Sequence, residues 1–240
     1  MPLSYEAPFT VFQFECDPWD RMSPGAVLRR VQEVSTDQCE TLGINEALYQ
    51  RTHTVFLLNK ISLEISRLPR IREAVTLATH AYGMKRAVYH RTTALHAQNG
   101  EKLCEADSRW LLVDTESRRI LRNPIPEFAA TFTDEPGEGA HAMEMPKPGE
   151  MEPCQKLRAG YLMCDRNGHV NNAWYADLIC DNLPLKTLKS RVPRKMVLSY
   201  RIEIAMGDSF EFSRCTMEND SYYFRASVEG RKNFEGFVWF

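Results

Sequence analysis

Apolar and polar residues alternate at 10–15, Thr-Val-Phe-Gln-Phe-Glu, with the two-residue period of a half-buried strand. The next stretch, Cys-Asp-Pro-Trp-Asp-Arg at 16–21, reads as a turn. Then the period changes. Ala26, Val27, Leu28, Val31, Val34 and Leu42 form one apolar stripe on a helix of about five turns. Ser23-Pro24 supplies its N-cap and first helical residue, and Gly43 its stop. From 54 to 66, Ile61, Leu63 and Ile65 alternate against Ser62, Glu64 and Ser66. Segments 73–82, 86–98 and 102–114 are further strand candidates. Asn99-Gly100 between the last two is a hairpin signal. A helix followed by a meander of strands predicts an α+β layer, a long helix wrapped by a curved antiparallel sheet.

Residues 123–155 break this rhythm. Six prolines, several glycines and acidic residues fall there with few periodic apolar positions, so the stretch reads as an exposed linker. Its Glu-Pro-Gly-Glu-Gly core (135–139) reads as disordered. Beyond it the first half is repeated in order. A strand candidate at 157–163 precedes Cys164-Asp165, which matches Cys16-Asp17. Val170 to Ala173 matches Met22 to Gly25, and 195–206 matches the strand from Thr54. Val228-Glu-Gly-Arg-Lys232 matches Gln98-Asn-Gly-Glu-Lys102, and the closing Phe237 to Phe240 matches the Trp110 strand. Two copies of one fold follow, spanning 1–122 and 156–240.

The candidate chemistry sits in Cys-Asp-Arg-Asn-Gly-His-Val-Asn-Asn, 164–172. In an extended chain Asp165, Asn167 and His169 would share one face. A carboxylate, an amide and an imidazole so placed can orient a polarised carbonyl or a water and exchange a proton with it. Asn171 and Asn172 read as the cap of a helix that begins at Ala173, whose N-terminus suits developing negative charge. The same residue types also build ordinary turns. The first copy argues against a turn alone, because it carries Trp19 and Arg21 where the second has Asn167 and His169. It also has Pro24, without a backbone donor, where Asn172 keeps one.

Asp-x-Asn-x-His-Val-Asn-Asn, with Tyr175 three residues on, resembles the signature of acyl-acyl carrier protein (ACP) thioesterases. The tandem repeat, Arg67-Leu-Pro69 and Trp110 to Asp114 extend the likeness to most of the chain. The resemblance implies two tandem hotdog domains, the first holding the acyl chain and the second the chemistry. It implies hydrolysis of fatty acyl-ACP to free fatty acid and ACP, ending elongation, with no cofactor and no metal. Asp165 would be the base or nucleophile. Asn167 and His169 would polarise carbonyl and water, and backbone N–H groups at Val170, Asn171 and Asn172 would hold the oxyanion. Glu203, on the strand face opposite Leu198, Tyr200, Ile202 and Ile204, would orient the water. Glu64 would be its counterpart in the first copy. Ile204 stands where some plant members have Cys, so a thiol nucleophile there is excluded. Val27, Leu28 and Val31 would line the acyl tunnel.

Composition narrows the alternatives. A net charge of −2 with 26% charged residues gives no global case for nucleic acid. No stretch approaches the roughly 18 apolar residues of a membrane span. The N-terminus has neither signal nor transit character, pointing to the bacterial rather than the plastid branch. Seven cysteines without a C-x-x-C pair argue against a disulfide framework and for a reducing cytoplasm. Lys186, Lys189, Arg191, Arg194 and Lys195 form a basic run, either a solvated loop or a dock for an acidic carrier. An acyl-CoA thioesterase, an enoyl-thioester hydratase or dehydratase, and a binding module without turnover are the competing functions. Fusion supplies internally the pairing that single hotdogs gain by dimerising, so a monomer or a homodimer fits.

Overall fold

The stripe after Ser23 folds as one helix, α1 (Pro24–Thr41), in the computed structural model, which describes residues 3–134 and 142–240. Ser23 Oγ accepts the Ala26 N–H at 3.1 Å, and Pro24 opens the first turn, where its missing donor costs nothing. The chain leaves through Gly43 at φ 76°, a left-handed position that favours glycine. Around α1 come β1 (Ser4–Thr10), α2 (Glu46–Thr52), β2 (Thr54–Ile65), β3 (Ala74–Lys85), β4 (Val88–Ala97) and β5 (Lys102–Asp114). Asn99-Gly100 closes the β4–β5 hairpin, with Gly100 at φ 84°. After α3 (Pro126–Thr131), the second half contributes β6 (Glu152–Arg158), α4 (Trp174–Asp181), α5 (Leu185–Ser190), β7 (Lys195–Tyr200), β8 (Ser209–Met217), β9 (Ser221–Val228) and β10 (Arg231–Trp239).

All ten strands form one antiparallel sheet in the order β1-β3-β4-β5-β2-β7-β10-β9-β8-β6. The order is a palindrome of the repeat: β1 answers β6, β3 β8, β4 β9, β5 β10, and β2 meets its own counterpart β7. At that joint Lys60 pairs with Ser199, Ser62 with Val197 and Glu64 with Lys195. The halves are therefore related by a pseudo-two-fold axis through the sheet centre, and one apolar core runs beneath both. No helix among the described residues is long and apolar enough to cross a membrane.

Three stretches depart from their predicted form. The strand expected at 10–15 ends at Thr10, and Gln13–Glu15 is a 3-10 turn. Glu15 reaches back to accept the Phe12 N–H at 2.8 Å and pairs with Arg30 at 2.7 Å. Local hydrogen bonding thus outcompetes the ladder that the alternation suggests. The 157–163 strand likewise stops at Arg158, before a 3-10 turn at Tyr161–Met163. The 195–206 strand stops at Tyr200, because Asn233 takes over its edge. The Asn233 carbonyl accepts from the Arg201 N–H, and its amide donates to the Ile202 and Glu203 carbonyls. Ile202 is consequently exposed rather than part of an apolar face.

The linker is not simply exposed. Its segment 126–131 is α3, and 152–155 already belong to β6. Phe128 is fully buried, 5.1 Å from the Phe56 ring. The Met143 carbonyl accepts from Lys60 Nζ at 2.9 Å. The Glu-Pro-Gly-Glu-Gly core lies outside the described residues.

Glu235 on β10 is buried yet surrounded by donors: Arg201, Tyr223 and Lys232, the last at 2.8 Å. Burial alone would raise its pKa, but the three hydrogen bonds outweigh it and hold the carboxyl below its ordinary value. A depressed folded-state pKa contributes stability above the unfolded-state value, which is lost as pH falls through the folded-state value. Glu235→Gln should therefore lower the melting temperature at pH 7, and the gap to the wild type should close toward pH 3. A gap that stays constant over that range would show that ionisation of Glu235 adds nothing.

Candidate active site

Residues 16–22 and 164–170 fold into the same seven-residue loop. Bridges Cys16–Met22 and Cys164–Val170 close them. In each, the Asp N–H donates to the carbonyl four residues on, at 2.7 Å (Asp17 to Arg21) and 2.9 Å (Asp165 to His169). In each, an Asp carboxylate oxygen accepts the N–H two residues on, Trp19 at 2.9 Å and Asn167 at 2.8 Å. Asp20 and Gly168 take the same left-handed position, φ 61° and 75°. Asp165, Asn167 and His169 are thus gathered by an Asx turn and not by the pleat of an extended strand, and the Asp serves that turn in both copies.

The difference between the copies lies in what else the loop holds. Arg21 Nε donates to Asp17 Oδ2 at 2.8 Å, and its Nη2 reaches the Leu188 carbonyl at 2.7 Å. That fork locks the first loop. His169 instead approaches Glu203, Nε2 to Oε2 3.6 Å, and among the described residues makes no bond to Asp165. Among the described residues the second Asp165 oxygen accepts no hydrogen bond. Glu203 lies beyond β7 and is exposed. The Val170 N–H donates to the Ile204 carbonyl at 2.9 Å as the Met22 N–H does to that of Pro69 at 2.8 Å. This register makes Leu68, not Glu64, the counterpart of Glu203. Glu64 sits at the central joint, 2.7 Å from Lys195 Nζ.

The expected oxyanion donors thin out to one. The Val170 N–H is taken by Ile204, the Asn171 N–H by the Met163 carbonyl at 2.8 Å, and the Ala173 N–H by Asn171 Oδ1 at 2.9 Å. Asn171 and Asn172 do not cap the helix directly; α4 starts at Trp174 behind Ala173. Among the described residues only the Asn172 N–H of this set makes no hydrogen bond, and its carbonyl is held by the Tyr200 hydroxyl at 3.0 Å. The matching residue in the first copy is Pro24, which has no N–H to offer. Burial and the Asp165 carboxylate both push the Cys164 thiol up, which suppresses the thiolate a nucleophile requires.

A cavity of about 390 Å³ runs from this loop into the first half. Asp165, Asn167, His169, Asn172 and Glu203 line one end. Ile44, Phe56, Leu58, Ala81, Trp110 and Phe132 supply apolar wall in the first half. The exposed pair Arg166–Glu46 at 2.8 Å joins the two halves beside it. Val27, Leu28 and Val31, expected to line a tunnel, are instead buried in the core. The face of α1 that borders the cavity is the next one round, Gln32, Ser35, Thr36 and Cys39, which is more polar than the apolar stripe.

The basic run is divided by its surroundings. Lys186, Lys189 and Arg194 are exposed. Arg191 pairs with Asp220 at 2.9 Å. Lys195 is buried against Glu64 and the Trp239 ring and is no surface group. Arg91, which no motif singles out, also borders the cavity, with its side chain on the inner face of β4. Its signal was visible: Tyr89, Arg91, Thr93 and Leu95 share one alternating register, and a charge in a buried register is unusual.

The geometry agrees with what the chain resembles. Residues 2–132 match the family model of the acyl-ACP thioesterase N-terminal domain, and 149–235 that of its C-terminal domain. A chloroplastic acyl-acyl carrier protein hydrolase of Cuphea viscosissima is 22% identical over 217 residues, covering 85% of this chain and 52% of that protein. The chain thus spans about half the length of this curated relative. Among solved structures, an acyl-ACP thioesterase from Bacteroides thetaiotaomicron superposes with TM-score 0.85 at 20% identity, covering 98% of this chain and 97% of that one. The 12:0-ACP thioesterase from Umbellularia californica gives 0.88 at 17%, covering 100% and 97%. These likenesses establish two tandem hotdog-type halves. With both family domains matched in order across the two halves, the chain belongs to the acyl-ACP thioesterase family.

Proposed function

We propose that this protein hydrolyses fatty acyl-ACP thioesters, releasing the free fatty acid and the carrier's thiol. One observation carries this reading. Of two superposable loops, only the second combines an uncommitted Asp165 oxygen, His169 and the open Asn172 N–H, and that loop borders the cavity. The first half holds the acyl chain and the second performs the chemistry. Asp165 serves as general base on water or as nucleophile. His169 and Asn167 orient the carbonyl and the water, and the Asn172 N–H receives the developing oxyanion. Glu203 steadies His169. The β2–β7 joint brings both halves together within one chain, so a single copy completes the site. Seven free cysteines fit a reducing cytoplasm.

Lys186, Lys189 and Arg194 supply the dock for the acidic carrier. The test is thiol release from a panel of acyl-ACPs beside matched acyl-CoAs. We expect faster release from acyl-ACP, with Lys186→Glu/Lys189→Glu raising KM for acyl-ACP and leaving acyl-CoA unchanged. Well-folded protein that releases no thiol from any substrate would overturn the hydrolase reading. An unchanged KM would remove the dock alone.

A further inference from the structure

We propose that the inner end of the cavity is a polar subsite for an acyl chain bearing an acceptor oxygen, above all a carboxylate, at its far end, bound by Arg91 and Tyr89. This rests on the thioesterase reading for the chain's other end. Arg91 is buried and borders the cavity. Its Nη1 donates to Gln38 Oε1 and, at 3.0 Å, to Thr79 Oγ1; its Nη2 donates to Cys39 Sγ at 3.4 Å. All three acceptors are neutral groups, and three of the guanidinium's five donors are used. Burial presses against its charge. Burial also pushes the Cys39 thiol up, with the Arg91 guanidinium only partly offsetting that, so the sulfur is no counter-ion at neutral pH. The carboxylates bordering the same cavity do not neutralise it. Glu46 is paired with Arg166, Glu40 is exposed, and Asp165 and Glu203 belong to the opposite end. Buried charges are ordinarily paired, yet the acceptors through which Arg91 ties α1 to β3 and β4 are all neutral.

Tyr89 is the second, independent observation. It borders the cavity two residues away on the same face of β4. Its ring is edge-on to Phe56 at 4.9 Å, and its hydroxyl is buried with no hydrogen-bond partner. A buried, orphaned hydroxyl and a guanidinium with spare donors, both bordering one cavity, leave hydrogen bonds that a ligand oxygen can complete. Along the sheet the subsite is set apart from the strand that leads to Glu203. β4 is three places from β7 in the sheet, about 14 Å at ordinary strand spacing.

The test compares plain, ω-hydroxy and ω-carboxy acyl thioesters of matched length for hydrolysis, and the corresponding free acids for binding by calorimetry. Wild-type protein should bind the ω-oxygenated acids roughly 10–100-fold more tightly than the plain acid. Arg91→Met should abolish or reverse that preference, and Tyr89→Phe should reduce it several-fold. If Arg91→Met does not fold, Arg91→Lys and Tyr89→Phe decide. A lead for the ω-hydroxy arm would identify the acceptor as neutral and still support the subsite. Equal or better binding of the plain acid, with a ratio indifferent to these variants, would overturn it. Cleavage without preference would refute the subsite and leave the hydrolase intact. Arg91-dependent binding without cleavage of any thioester would do the reverse.

Discussion

His169→Ala should lower kcat for thioester release by about 10²–10⁴-fold, the range for losing a positioned acid–base group, while the melting temperature hardly moves. The separation follows from the surroundings. His169 is partly exposed, and among the described residues its side chain makes only the 3.6 Å approach to Glu203, so little of the fold depends on it. Asp165 needs a gentler substitution. Its carboxylate also accepts the Asn167 N–H, so Asp165→Asn keeps the Asx turn and removes only the ionisable group. A comparable loss in kcat is expected. Asn172→Pro is the most pointed variant, because the first copy already carries Pro24 there behind the same hydrogen-bonded loop. Pro24 opens α1 whereas Asn172 stands two residues before α4, and the change also removes the Asn172 side chain, so Asn172→Ala, which keeps the N–H, is its control. If that donor faces the oxyanion, kcat should fall about 10²–10³-fold. Full activity in Asn172→Pro would move the oxyanion site elsewhere. Single-turnover hydrolysis in heavy-oxygen water then separates the two routes, since label in the Asp165 side chain would mark an anhydride intermediate.

Phe128→Ala should cost about 3–5 kcal/mol, on the order of 10 °C in melting temperature for a chain of this size. Phe128 lies in the stretch between the halves, yet it is wholly buried in a small second core with Ile44, Leu112 and Phe132, its ring tilted onto Phe56 and near Tyr49. Removing it empties a ring-sized space that rigid strands on one side cannot fill. A melting temperature within a degree or two of wild type would mean that α3 merely rests on the sheet. Phe56 and Phe132 also wall the cavity, so a change in chain-length preference should accompany the loss of stability.

Much of this architecture was written in periodicity. α1, β2 and β5 were legible because each carries its own signal: Ser23-Pro24 and Gly43 around an apolar stripe, strict alternation, and Asn99-Gly100. The loops were not, because their form is set by contacts distant in sequence or by local side-chain competition. Phe12 and Phe14 alternate like strand residues but stack on each other at 5.6 Å over a 3-10 turn. Glu203 could be named from the signature, but its place beyond the strand depends on Asn233, which ends β7 from a neighbouring hairpin. Asp165 and His169 were identifiable by type. Which backbone donor stays open was not, because it requires knowing that Ile204 and Met163 occupy its neighbours. The face of α1 that borders the cavity was not legible, because the most apolar stripe of a helix marks the core, whereas the cavity borders the next, mixed face.

The covalent fusion of two related halves about β2 and β7 has an evolutionary consequence. In a symmetric pair of identical chains, every substitution is made twice, and a residue that sharpens one loop for chemistry appears in the other as well. Here the two loops mutate separately. Arg21 could settle against Asp17 without forcing an arginine onto Asp165, and Pro24 could enter without deleting the Asn172 donor. Gene duplication followed by fusion thus exchanges two equivalent, mutually constrained sites for a single site with a dedicated partner, and gives selection a separate handle on each.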